Sequence, residues 1–339
     1  MTNCNKIDIG HAEKIIGKFS DQKILIIGDL MLDRYVSGDV SRISPEAPVP
    51  VVQVTEEHCQ PGGAANVALN IQSLGGMAIV AGVVGTDKPA EELETVLSKN
   101  GICTDGVFAD SQVRTTVKAR IVAERQQVVR IDYENSPDLP VDVTREFCKK
   151  IVDLADGVSG VIIEDYGKGV VSQAVIDTIL SAKDITNIPI GFDPKENHDL
   201  NISNITLATP NYKEACSIAG IHESALCSGA EMERHLRETG SRLLKKWNCE
   251  QLIITLGPHG IYLLPKKGKP RIIPTKAREV FDVSGAGDTV IAVSLISLAS
   301  GASCYEAAEL ANYAAGVVVG KLGTAVCTKD ELLERVAKE

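Results

Sequence analysis

Residues Pro61–Val84 read PGGAANVALNIQSLGGMAIVAGVV, and the periodicity changes midway. Over Ala64–Leu74, Val67, Ile71 and Leu74 recur at helical spacing, with Gly75 placed as a stop. Ala78–Val84 is then an apolar, β-branched run of strand length. Upstream, Lys23–Gly28 (KILIIG) is a candidate first strand. Further strands are expected at Val158–Glu164, Ile188–Asp193 and Gln251–Thr255. Helices are expected near Glu91–Lys99, Asp142–Ala155, Ser172–Ala182, Ala230–Trp247, Gly287–Ala299 and Tyr305–Val319. Strands alternating with helices make βαβ units, whose stable arrangement is a mainly parallel sheet covered on both faces. The expected fold class is therefore α/β, in three layers.

Two stretches break the rhythm. Pro48–Val54 (PVPVVQV) and Thr115–Tyr133 (TTVKARIVAERQQVVRIDY) read as strands without helices, the second as a hairpin turning near Glu124–Gln127. A small antiparallel sheet inserted on the body, at about residues 36–55 and 112–133, accounts for both. Such a sheet serves as a lid, a dimer clasp or a plain edge extension. With no internal repeat or long linker, the 339 residues are expected to form one domain.

Hydrophobic residues make up 44% and charged residues 24%, which excludes a disordered or fibrous chain. A net charge of −10 without any basic run argues against wholesale nucleic-acid binding. The 9 cysteines form no CxxC pair, and their odd number fits no closed disulfide framework, so a reducing compartment is expected. The opening MTNCNKIDIGHAEKII lacks the layout of a signal peptide. The longest apolar stretch, Val290–Ala299, is too short for a membrane span. A cytoplasmic protein with no membrane partner follows from these expectations.

Chemistry concentrates in Asp282–Thr289, DVSGAGDT, just before an apolar helix. Gly285, Ala286 and Gly287 let a ligand approach the backbone, and free N–H groups at a helix start form an anion hole. Asp288 beside them is placed to take a proton from an attacking hydroxyl. A first-turn acid that only complements the helix dipole reads the same locally; three small residues in a row favour the anion hole. In Pro61–Gly75, Asn66 and Asn70 lie one turn apart and offer donors and acceptors to polyol hydroxyls. Tight helix packing against the sheet through Gly and Ala is the favoured reading of that segment taken alone. Gly316–Leu322 (GVVVGKL) fails as a Walker A loop, no GxGxxG follows Gly28, and the 6 histidines show no zinc-binding spacing.

PGGAANVALNIQSLG and DVSGAGDTVIAVSL resemble the two signatures of the ribokinase-like (phosphofructokinase B type) carbohydrate kinases, over essentially the whole chain. Gly28–Val52, Asp165–Gly169 (DYGKG), Asp193–Lys195 (DPK), Thr209–Glu214 (TPNYKE) and Gly316–Thr324 (GVVVGKLGT) resemble the heptose 7-phosphate kinases within that family. The resemblance implies a ribokinase-like fold with a β lid. It also implies ATP-dependent phosphorylation of the anomeric hydroxyl of D-glycero-β-D-manno-heptose 7-phosphate, toward ADP-heptose and lipopolysaccharide. Other sugar or nucleoside kinases share the scaffold, and a catalytically silent sugar-binding regulator is the alternative from another class.

By the same resemblance, Asp288 is the catalytic base with Gly285, Ala286 and Gly287 as its anion hole. Asn211 and Glu214 stand near the ATP phosphates and Mg²⁺, the glutamate acting through water. Thr255, Gly257 and Gly260 hold the nucleotide, and Asn312 approaches adenine. Asp33, Gly62, Gly63 and Asn66 line the sugar pocket, while Asp282 with Ser284 suggests a monovalent cation. A substrate carrying its own phosphate needs cations. The candidates are Arg34, Arg42, Arg120, Arg130, Lys168 and Lys195, with Arg120 and Lys168 first. No nucleotidyltransferase signature is read in the chain, so a separate adenylyltransferase is the expected pathway partner, and a homodimer through the lid is the expected assembly.

Overall fold

The structure is a computed structural model. It describes residues 7–123, 126–134, 138–182, 184–185, 187–224, 229–277, 279–321 and 323–338. Its strands are β1 (Lys23–Gly28), β2 (Leu30–Ile43), β3 (Pro50–Gly63), β4 (Met77–Val84), β5 (Cys103–Ala109), β6 (Thr116–Ala123), β7 (Gln126–Tyr133), β8 (Gly160–Glu164), β9 (Ile190–Asp193), β10 (Leu207–Ala208), β11 (Gln251–Thr255), β12 (Ile261–Pro265) and β13 (Arg271–Ile273). The main sheet has 9 strands in the order β13, β12, β11, β10, β9, β8, β1, β4, β5. Every pairing from β5 across to β11 is parallel, while β12 and β13 run antiparallel at one edge.

The helices are α1 (Ile9–Gly17), α2 (Ala64–Ser73), α3 (Lys88–Lys99), α4 (Val141–Leu154), α5 (Gln173–Ser181), α6 (Tyr212–Ala219), α7 (Ala230–Trp247), α8 (Ala286–Ala299), α9 (Cys304–Val318) and α10 (Lys329–Ala337). Strand β1 shows why they form two layers. Side chains alternate across a strand, so Ile24 and Ile26 enter one core with α1, α2, α3, α8, α9 and α10. Leu25 and Ile27 enter a second core with α4 to α7. All four side chains are buried, each worth roughly 1.5–3 kcal/mol of apolar transfer. Helix α8 is buried along most of its length because it packs against β8, β9, α2 and α9 at once.

The second sheet has 4 strands in the order β3, β2, β6, β7. It is mainly antiparallel, as expected, but β2 and β6 pair in parallel. The elements from β3 to β5 lie between those two strands, and such a crossover returns the chain in the same direction. The hairpin turn expected near Glu124–Gln127 falls partly on residues 124–125, outside the described ones. The sheet's inner end, Leu30–Leu32 and Val117, is packed into the body, whereas Ile43, Val49, Val54, Val128, Val129 and Ile131 are exposed on its outer part.

This topology positions a site. From β1 the chain runs outward through β4 to β5 and then returns to β8 on the other side of β1. Ligands bind at the C-terminal strand ends beside such a reversal. Among the described residues no helix is long and apolar enough to cross a membrane.

Candidate active site

Helix α8 starts after Gly285, which is left-handed at φ 77° and carries no capping side chain. Among the described residues no backbone carbonyl accepts from the N–H of Gly287 or Asp288, so this helix start is open to an anion. Asp288 is buried in that first turn. Asn66 Nδ2, from α2, donates to Asp288 Oδ2 at 2.6 Å, and the Tyr166 hydroxyl donates to Oδ1 at 2.9 Å. Only glycine fits at 285, since a Cβ there would stand 2.8 Å from Asn66 Nδ2. Burial pushes the Asp288 carboxyl above the usual carboxylate range, against the pull of its two donors. A carboxylate of raised basicity beside unpaired amides can take a proton while the amides hold an anion.

Two further acids reach the same point from the ends of β8 and β9. Oxygens of Glu164, Asp193 and Asp288 lie within 4.8 Å of one another. Thr209 Oγ1 donates to Asp193 at 3.0 Å, whereas both Glu164 oxygens are buried without a donor. Burial and the neighbouring negative charges push Glu164 and Asp193 well above the carboxylate range. A hard divalent cation with oxygen ligands relieves that repulsion, so the acids fit Mg²⁺. These residues line a cavity of about 260 Å³ together with Lys195, Asn211, Glu214, Thr255, Gly285 and Gly287.

The second sheet brings two further charges, Asp33 and Lys118, close enough to act on Asp288. Asp33 on β2 is buried and accepts from Arg120 Nη1 on β6 at 2.7 Å. Gly62 on β3 makes room for it, because a Cβ would stand 2.9 Å from Asp33 Oδ2. Lys118, opposite Asp33 in the β2–β6 register, lies with its ammonium 5.1 Å from the Tyr166 ring centre. Burial lowers the Lys118 ammonium below the usual lysine range, with Asp33 opposing. Asp29, just after β1, is buried and accepts from the N–H groups of Tyr166, Lys168 and Val170 at 2.9, 3.0 and 3.0 Å. The DYGKG turn is thereby pinned to the end of β1.

The remaining expected residues divide. Asn211 and Glu214 line the cavity but also cap α6 reciprocally, at 2.9 and 3.0 Å. Thr255 lines the cavity, and Gly257 and Gly260 flank the short turn after β11. Asn312 is buried, donates to the Pro274 carbonyl at 2.7 Å and does not line the cavity. Asn70 is buried and accepts from Thr289 at 2.9 Å, and so fastens α2 to α8. Asp282 accepts from the N–H groups of Ser284 and Gly323 at 2.9 and 3.2 Å. Among the cations, Lys168 pairs with Glu134 at 2.6 Å, Arg130 with Asp132, and Arg34 with Glu92 and Glu57. Lys195 stands 3.7 Å from Glu214, and Arg42 lies toward the outer end of β2.

Sequence reasoning missed Asp29, Lys118, Glu164, Tyr166 and Asp193 as site residues. Tyr166 lay inside a segment already singled out, DYGKG, and Glu164 ends a strand that was expected. Lys118 is two residues from Arg120 and so on the same face of β6.

Residues 21–331 match the pfkB family of carbohydrate kinases. The bifunctional protein HldE of Pelobacter propionicus is 41% identical over 325 residues, covering 96% of this chain and 65% of the relative. HldE of Vibrio parahaemolyticus is 42% identical over 322 residues, covering 95% and 65% respectively. The chain thus spans just under two thirds of the length of these relatives. The structure of Escherichia coli phosphofructokinase-2 in complex with substrates and products superposes with a TM-score of 0.77 at 20% identity, covering 94% of this chain and 99% of that one.

Proposed function

Since the chain belongs to the pfkB family of carbohydrate kinases, and is thus a sugar kinase, we propose that its acceptor is the anomeric C1 hydroxyl of D-glycero-β-D-manno-heptose 7-phosphate. The product is then the 1,7-bisphosphate, which a nucleotidyl transfer at another active site would carry toward ADP-heptose and the lipopolysaccharide core. The observation that carries this reading is the cation group of the lid. Asp33, Arg120, Arg130 and Lys168 all lie close enough for their charges to act on Lys118, Arg120 pairs with Asp33, and among the described residues Lys118 has no carboxylate within ion-pair distance. A half-buried ammonium left unpaired suits a sugar that brings its own phosphate.

In the reaction, Asp288 takes the proton of the C1 hydroxyl as its oxygen bonds to the γ-phosphorus and the bond to ADP breaks. The N–H groups of Gly287 and Asp288 stabilise the transferring group. Glu164 and Asp193 would hold Mg²⁺, which neutralises phosphate charge when bound; Glu214 stands close enough to add water-mediated support. The binding of a monovalent cation at Asp282 belongs to the same proposal.

The test is ADP release from Mg-ATP with the heptose 7-phosphate, unphosphorylated heptose, fructose 6-phosphate, ribose and adenosine. Strong preference for the heptose phosphate supports the reading. Preference for another acceptor discards the pathway and keeps the kinase; no turnover with any acceptor favours a silent binding protein. Lys118→Met should raise KM for the sugar phosphate at least tenfold, on the order of one lost charge-assisted contact, and leave KM for ATP unchanged. An equal effect on phosphorylated and unphosphorylated sugar would remove Lys118 from phosphate binding.

We place the protein in the cytoplasm, in keeping with the free thiols of its described cysteines. We also propose a homodimer through the outer face of the second sheet, where exposed Val54, Val128, Val129 and Ile131 form an apolar surface. Val129→Asp should then give monomers in sedimentation velocity. Val117 is no test of this, because it is buried in its own subunit. A monomeric wild type ends the dimer proposal.

A further inference from the structure

We infer that Tyr166 is the positioning residue of the reaction, holding the Asp288 carboxylate in the orientation that receives the acceptor's proton; this rests on Asp288 being the base. The terminal torsion of an aspartate is soft, with a broad energy minimum. Here it is gripped from two sides by two different elements. Asn66 Nδ2 donates to Oδ2 at 2.6 Å, and the Tyr166 hydroxyl donates to Oδ1 at 2.9 Å. Neither donor alone sets the plane of the carboxylate; together they do.

Tyr166 is itself fixed on both sides of its ring and backbone. Its N–H donates to Asp29 Oδ2 at 2.9 Å, and Asp29 also accepts from the next turn residues, Lys168 and Val170. The Lys118 ammonium stands 5.1 Å from the ring centre. The phenol therefore joins the end of β1, the lid and the start of α8 at one atom of the base. It donates a hydrogen bond to Oδ1 and keeps its own proton, so the Asp288 carboxylate retains a lone pair to accept the C1 hydroxyl proton while the new O–P bond forms and ADP departs. Tyr166 also lines the cavity, so the KM for each substrate is what separates a positioning role from a binding one.

The experiment uses the full chain and whichever acceptor turns over in the panel. Tyr166→Phe should lower kcat by about tenfold to a hundredfold, the usual penalty for a misplaced reacting group, with KM for ATP and sugar and the Tm essentially unchanged. Tyr166→Phe made in the Asp288→Asn background should cost nothing more, because the phenol acts only through that carboxylate. Should Tyr166→Phe fold poorly, Tyr166→Ala supplied with phenol should recover kcat, and benzene should not. The inference is overturned by an unchanged kcat, by KM rising in step with the loss, by additive losses in the double variant, or by benzene rescuing as well as phenol. Undiminished turnover in Asp288→Asn alone would instead overturn the assignment of the base.

Discussion

Asp288→Asn lowers kcat by roughly a thousandfold while ATP and sugar still bind, the range expected when a general base is lost and its surroundings remain. The substitution keeps shape, and the amide oxygen can still accept from Asn66, which donates at 2.6 Å in the wild type. What disappears is a proton acceptor whose basicity burial has raised. The open N–H groups of Gly287 and Asp288 persist, so residual turnover comes from the anion hole and from binding. Steady-state ADP release read beside equilibrium binding of each substrate decides it. Equal losses in binding and turnover would point to a collapsed pocket and away from a base.

Glu164→Gln moves activity and stability in opposite directions. Glu164 is buried, both its oxygens lack a donor, and burial together with Asp193 and Asp288 holds its carboxyl well above the usual range. An acid whose folded pKa is raised binds its proton more tightly when folded. Its contribution to stability is therefore present below the unfolded value and lost as pH climbs through the window up to the folded one. At neutral pH the cluster weakens the metal-free fold. Glutamine keeps the volume, removes one charge and offers N–H groups to Asp193. The metal-free variant should melt a few degrees higher than wild type at neutral pH, and its Tm should fall less steeply as pH rises. Turnover should drop by about a hundredfold, since the site loses part of its capacity to hold the ion that offsets phosphate charge. Adding Mg²⁺ should raise the wild-type Tm more than the variant's. Calorimetry in chelator and in Mg²⁺ reads both effects; a lower Tm for the metal-free variant at neutral pH would show that Glu164 is held by something other than repulsion.

The stability cost and the catalytic gain have the same origin. Three acids gathered at the ends of β8 and β9 and the start of α8 repel one another in the metal-free fold, and a clustered set of perturbed carboxyls is what a functional site requires. The DYGKG turn illustrates how the remaining order is achieved. Asp29 accepts the N–H groups of Tyr166 and Lys168 within it and of Val170 just after it, which satisfies backbone donors that have no strand or helix partner.

Local sequence determined a good deal. The continuous apolar run of KILIIG and the helical spacing of Val67, Ile71 and Leu74 specify a sheet covered on both faces, because a strand with no polar side must bury both. DVSGAGDT specifies an uncapped helix start with an acid in its first turn, because Gly285 permits the left-handed turn whatever surrounds it. Tertiary structure alone decided the partners. Asn66 and Asp288 are 222 residues apart, and Tyr166 lies 122 from that same aspartate. Asn66 and Asn70 look alike on one helical face, yet one reaches Asp288 and the other ties two helices together. The sequence puts Arg120 and Lys168 forward and gives no reason to choose Lys118; the parallel pairing of β2 with β6 brings both Lys118 and Arg120 to Asp33, where Arg120 takes the ion pair and Lys118 is left without one among the described residues. A residue's periodicity is a property of its neighbours along the chain, but its charge partner and its dielectric surroundings belong to segments that meet only on folding.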